Sequence, residues 1–145
     1  MDFPIRPFRS AGAIRRVGEG LLSGDLPKVE WTHEAHLAAC AWLILDRSDF
    51  HPETELPGVI RRYNVAVGGV NDDHQGYHET LTQLYIRAVR EFLVGYGPCD
   101  LLEGVNALLA SPIAARDWPL GHYSHERLFS VAARRDWVEP DLLPL

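Results

Sequence analysis

Apolar residues recur every three or four positions along most of the chain, a spacing that predicts amphipathic α-helices. The clearest example extends from residue 77 to residue 95 and stops at Gly95 and Gly97. Its apolar positions are Tyr77, Leu81, Leu84, Tyr85, Ala88, Val89 and Phe92. At 1.5 Å per residue such a helix is about 28 Å long, which is enough to span a small domain.

The same pattern predicts five further helices. Thr32 is a good N-cap, and the apolar stretch 35–45 that follows it would be buried on nearly every side, so the second helix is expected at the centre. No segment has the pattern of a convincing strand. We therefore expect an all-α, single-domain bundle of about six helices over residues 1–145, with the tail 137–145 packed on it. The five helices are predicted over residues 11–23, 32–46, 57–67, 100–110 and from Ser124 through Ala132.

The composition of the chain limits the classes of partner that it is expected to bind. The chain has 145 residues and a formal net charge of −6, and an acidic chain has no general attraction for nucleic acid or anionic lipid. The longest apolar run is shorter than the roughly 20 residues of a membrane span, and the start lacks a signal-peptide pattern. Two cysteines fit a reducing compartment. We expect a cytoplasmic protein with a small-molecule ligand, no nucleic acid or membrane partner, and a possible homodimer.

The seven histidines matter through their placement. His33 and His36 are three residues apart and share a face of the second helix, whereas His78 lies at the start of the fourth. Short connections make successive helices antiparallel, so the N-termini of helices two, four and six should meet at one end of the bundle. The C-terminus of the third helix, with Arg62 and Asn64, reaches the same end. These residues are expected to share a site.

The leading hypothesis is a metal-dependent protein, and an enzyme in particular, acting on a small polar or anionic molecule. His33, His36 and His78 would bind Zn, Fe or Ni, which neutral imidazoles from different helices suit. Glu79 would act as a ligand or general base, with Asp73 as an alternative carboxylate. The other expected contacts, taken from the same end of the bundle, are Tyr123 as a catalytic or substrate-contacting group and Arg62 and Asn64 as substrate-binding residues.

Two other hypotheses stay open. The chain could be a non-enzymatic module that binds a small anion through Arg62, His78 and the helix N-termini, without a metal. It could also be a structural bundle whose histidines are incidental: His33 would then only cover the start of its helix, and His36 would be a hydrogen-bonded core residue. Cys40 is expected to be a small core residue.

Three segments carry a resemblance. WTHEAHL at residues 31–37, GYHETLT at 76–82 and YSHERL at 123–128 resemble a family of short bacterial all-helical proteins without an established function. At the level of architecture alone, the chain is also similar to the DinB-like helical bundles. That similarity implies a metal held by histidines of different helices at one end of the bundle.

Overall fold

A computed structural model describes residues 4–145 of the chain. This part is all-helical, as predicted, and contains seven α-helices joined by short 3₁₀ turns and loops. None of its helices combines the length and apolarity needed to cross a membrane. The helices are α1 (Ala11–Ser23), α2 (His33–Asp46), α3 (Pro52–Ala66), α4 (Glu79–Tyr96), α5 (Leu101–Leu109), α6 (His125–Leu128) and α7 (Val131–Arg135).

Helix α2 lies at the centre, as its apolar composition predicts. Residues 37–43 of this helix are all buried, and α2 packs against α1, α3, α4 and α5. Thr32 caps its N-terminus by accepting a hydrogen bond from the Ala35 N–H. Where α1 crosses α2, Gly18 lies directly against the Trp42 ring and leaves no room for a Cβ. A glycine that weakens α1 by itself therefore permits its close approach to the central helix.

Helix α3 begins at Pro52 and not at residue 57, so the prediction placed its start five residues too late. His51 precedes the helix in an extended conformation, and Pro52 occupies the first helical position, which suits proline. Pro57 lies inside the helix, where its missing N–H leaves the Glu53 carbonyl without its usual partner. Gln83 of α4 donates its side-chain N–H to that carbonyl at 2.9 Å. A long-range contact thus compensates the internal proline.

The C-terminal part differs from the single sixth helix predicted. Helix α6 ends at Leu128, and Ser130 starts α7 because its hydroxyl accepts a hydrogen bond from the Ala133 N–H. The tail packs on the bundle, as predicted. Thr80 of α4 donates its hydroxyl to the Asp136 carbonyl at 2.9 Å, and Trp137 and Val138 pack against a second, small core. The buried members of that core are Leu84, Tyr123 and Leu128.

Candidate functional site

A cavity of about 500 Å³ lies between α2, α3 and α4. The segment that leads into α4 closes one side of it through Gly76 and Tyr77. Most of the lining is apolar and includes Leu21, Leu37, Leu56, Ile60, Leu81 and Ile86. The polar residues that line it are His33, His36, Asn64, Tyr77, His78, Thr82 and Tyr85. All three histidines predicted as metal ligands thus line one cavity, and so does Asn64.

His36 is exposed and lines the cavity. Its ring stacks on Trp31, with the ring centroids 3.8 Å apart. The Nδ1–H donates to the Thr32 carbonyl at 2.6 Å, so Nε2 carries the lone pair, and Nε2 has no hydrogen-bond partner within residues 4–145. Its position in the cavity wall lowers the pKa of His36 to about 4, since desolvation by the surrounding protein disfavours the charged ring and His33 adds to the effect. At neutral pH His36 offers a hydrogen-bond acceptor.

His33 lies one turn away at the start of α2. Its Nε2 is 2.8 Å from the Ala114 carbonyl, which can only accept a hydrogen bond, so this nitrogen carries the proton. In the neutral ring Nδ1 is then an acceptor without a partner in the described residues. His33 and His36 therefore each keep one ring nitrogen available.

His78 uses both of its ring nitrogens. It is the N-cap of α4, in an extended conformation with φ −134° and ψ 107°, so the helix starts two residues later than predicted. Its Nδ1 accepts from the Leu81 N–H at 3.1 Å, and its Nε2–H donates to the Leu128 carbonyl at 2.7 Å. The residue is 7% exposed, and burial lowers its pKa. A metal ion could bind His78 only by displacing one of these main-chain partners.

The loop before α4 is anchored to the end of α3 by Asn71. The Asn71 Oδ1 accepts from the Tyr77 N–H at 3.0 Å and from Asn64 Nδ2 at 2.9 Å, while its Nδ2 donates to the Arg61 carbonyl. Gly76 completes the turn with φ 81°, and a Cβ there would collide with the Val70 carbonyl. This network determines where Tyr77 and His78 enter the cavity wall.

The predicted carboxylates do not line the cavity. Glu79 accepts a hydrogen bond from the Tyr77 hydroxyl and lies in a shallow surface groove with Glu53 and Arg90. Asp73 forms a two-bond ion pair with Arg135, at 2.6 and 2.7 Å. Within residues 4–145 no three His, Cys, Asp or Glu side chains form a group that could hold a metal. The metal site therefore stays a prediction, and of its three predicted ligands only His33 and His36 keep a ring nitrogen free of hydrogen bonds within the described residues.

The other predicted contacts lie elsewhere. Arg62 is exposed and does not line the cavity, whereas its neighbour Arg61 places its guanidinium 4.4 Å from the centre of the Tyr77 ring. Tyr123 is completely buried, and its hydroxyl donates to the Val138 carbonyl at 2.7 Å. Tyr123 joins the tail to the small core and has no part in the function proposed below.

Sequence reasoning missed Tyr85. The residue was assigned to the apolar face of the fourth helix, which is where it lies, but that face lines the cavity at this point. Its hydroxyl has no hydrogen-bond partner within residues 4–145, and burial raises its pKa to about 12. A tyrosine within an otherwise aliphatic helical stripe was the only signal.

Comparison of the chain with protein-family models, curated proteins and solved structures gave no match.

Proposed function

We propose that this chain binds a small, mostly apolar molecule in the cavity between α2, α3 and α4. The observation that supports this proposal is the cavity itself, whose apolar wall carries polar groups without a hydrogen-bond partner in residues 4–145. Its volume of about 500 Å³ lies within the range of roughly 300–1,000 Å³ typical of small-molecule sites. Such sites combine an apolar wall with a few polar groups that orient the ligand.

Binding is favoured over acid–base catalysis by the electrostatics of the cavity. A general base works best when its pKa lies near the working pH, and the pKa of His36 is about 4. The Tyr85 hydroxyl, with a pKa of about 12, stays protonated at neutral pH. The thiol of Cys40, which also lines the cavity, has its pKa raised to about 12 by burial. These groups recognise a ligand better than they transfer protons.

A cavity-filling variant tests the proposal. Ile60 of α3 lines the cavity, so Ile60→Trp should occupy part of it and remove ligand binding. Val65, on the same helix, is 63% exposed, and Val65→Trp is the matched control. The readout is a fragment screen by ligand-observed NMR, followed by thermal unfolding. A ligand at 100 times its Kd should stabilise the native chain by about 2.7 kcal/mol. Equal binding by both variants, or no binding by the native chain, would disprove the proposal.

Metal-dependent chemistry is a second candidate, favoured by the two ring nitrogens of His33 and His36 that have no partner in the part of the chain that the structure describes. Two such nitrogens, with water completing the shell, would bind Zn²⁺ more weakly than a three-residue site. Elemental analysis of untagged protein, followed by Zn²⁺ titration of the native chain and His33→Ala, tests it. Stoichiometric metal that the variant loses would support this candidate.

The expected homodimer also stays a prediction, which light scattering checks.

A further inference from the structure

The cavity wall offers hydrogen-bond acceptors that a ligand can use. His36 Nε2 and, in the neutral ring, His33 Nδ1 each carry a lone pair, because the other nitrogen of each ring donates to a main-chain carbonyl. Besides His78, two hydroxyl groups of the wall already donate to the protein. The Thr82 hydroxyl donates to the His78 carbonyl, and the Tyr77 hydroxyl donates to Glu79.

Asn64 adds a third acceptor, and the surrounding network determines its orientation. Asn71 must donate to the Arg61 carbonyl and must accept from the Tyr77 N–H, because neither main-chain group can play the opposite role. The Asn71 Oδ1 therefore also accepts from Asn64, which makes Nδ2 the Asn64 atom in that bond. The Asn64 Oδ1 is left without a partner among the described residues. The donors of the wall that have no partner among the described residues are the Tyr85 hydroxyl, the second N–H of the Asn64 amide and the indole N–H of Trp31.

The cavity wall carries no fixed charge in the described part of the chain. None of the residues that line it is Asp, Glu, Lys or Arg. Two guanidinium groups lie close to the wall without lining it: Arg61 lies against the Tyr77 ring, and Arg134 donates to the Gly76 and Tyr77 carbonyls. A charged ligand would lose its hydration on entering and would find no counter-ion, which costs several kcal/mol. A neutral ligand avoids this cost.

We infer that the ligand of this cavity is a neutral molecule with an apolar body and at least one hydroxyl or N–H donor, such as an aromatic or alicyclic alcohol. This inference rests on the proposed function, and it replaces the polar or anionic molecule expected from the sequence. The donor of the ligand binds His36 Nε2, while a hydroxyl oxygen can accept in turn from Tyr85. The aliphatic wall of Leu56, Ile60 and Ile86 covers the apolar body.

Isosteric probes separate the ligand classes. We would measure Kd by isothermal titration calorimetry at pH 7 for 2-naphthol, 2-methoxynaphthalene, naphthalene, 2-naphthoate and 2-naphthylmethylammonium. The smaller pair p-cresol and toluene covers the case in which two fused rings are too large. We expect 2-naphthol or p-cresol to bind about tenfold more tightly than the matching probe that lacks a donor, the gain of one hydrogen bond to an otherwise unpaired acceptor. The two ions should bind most weakly.

The variant His36→Phe tests whether the preference for 2-naphthol depends on His36 Nε2. The phenyl ring can still stack on Trp31. The Thr32 carbonyl still accepts a hydrogen bond from the main-chain N–H of residue 36, which is 3.1 Å long in the native chain. The variant should therefore fold and should bind naphthalene normally, while the tenfold preference for 2-naphthol disappears. His74→Phe, at an exposed position outside the cavity wall, is the matched control and should keep the preference.

Each remaining outcome contradicts the inference. Equal affinities across the neutral probes would show an apolar site without donor selection, and tightest binding of 2-naphthoate would show an anion site. If neither alcohol binds although the fragment screen finds cavity ligands, the inference fails and the proposed function stands. If the screen also fails, both fail.

Discussion

His36 and His78 occupy corresponding positions in the sequence, near the start of a helix, and both line the same cavity, yet their hydrogen bonding differs. His78 donates to one main-chain group and accepts from another, so its ring is fully used by the fold. His36 donates once and keeps Nε2 without a partner. The first ring is a structural part of the wall, whereas the second has a lone pair left for a ligand.

The difference lies in what surrounds each ring. His78 meets the Leu128 carbonyl of α6, 50 residues away, and a buried carbonyl needs such a donor. His36 meets the face of Trp31, which stacks on the ring but supplies no hydrogen bond to its second nitrogen. A histidine at a cavity therefore points to recognition only when one of its nitrogens stays unpaired. Counting the histidines at one end of a bundle does not distinguish the two cases.

The largest effect is expected for His78→Ala. The substitution removes the α4 cap, worth about 1 kcal/mol, and leaves the Leu128 carbonyl unpaired, at a cost of about 1–3 kcal/mol. The free energy of unfolding, measured with urea, should fall by about 2–4 kcal/mol. His78→Asn restores the cap but is too short to reach Leu128, so it should lie in between. The control His74→Ala, at an exposed position, should leave the free energy of unfolding unchanged. If His78→Ala also left it unchanged, the proposed structural difference between His78 and His36 would be wrong.

Asn71→Ala should cause the second-largest loss of stability, because it releases the loop that carries Tyr77 and His78. It removes three hydrogen bonds, two of them partly buried, so a loss of about 1–2 kcal/mol is expected. Hydrogen exchange should show faster exchange of the Tyr77 amide, which loses its acceptor. Gln75→Ala in the same loop breaks only an exposed contact with Asp72 and serves as the control. An unchanged Tyr77 amide would exclude the anchoring role.

Two tyrosines repeat the comparison on a smaller scale. Tyr123→Phe leaves the Val138 carbonyl without its side-chain donor and should cost about 1–2 kcal/mol. Tyr85→Phe removes a hydroxyl that has no protein partner in the described part of the chain, so stability should change by less than about 0.5 kcal/mol. Urea unfolding of both variants checks the contrast. By contrast, Tyr85→Phe should lower the affinity for a neutral cavity ligand more than Tyr123→Phe does.

At neutral pH the smallest expected effect is the titration of His36, because it changes stability only as the pH falls. Its folded pKa of about 4 is below the ordinary value of about 6.5, so the unfolded chain takes up this proton first as the pH falls. His36 should therefore reduce stability progressively from about pH 6.5 to about pH 4, with no further change below that range. NMR titration of the ring measures the pKa. The difference in stability between the native chain and His36→Phe should no longer change with pH above about pH 7, and a ring that titrates normally would contradict the lowered pKa.

Helix class and helix order followed from the sequence, because burial of one helical face imposes its period on the residues. The apolar stretch 35–45 predicts a central helix, and the structure confirms it. Helix ends were harder to predict. The periodic pattern includes Tyr77, but the cap is His78, since a helix starts where a side chain satisfies the free N–H groups and not where apolar residues begin.

For the candidate site, the sequence supplied residues that line one cavity, because antiparallel packing brings the starts of α2 and α4 and the end of α3 together. It could not show that Glu79, Arg62 and Tyr123 lie outside that cavity, or that Tyr85 lies inside it. Those distinctions depend on partners such as Leu128 and Val138, which are distant in the chain. Periodicity indicates which face of a helix is buried, whereas tertiary packing decides whether that face meets another side chain or an open cavity.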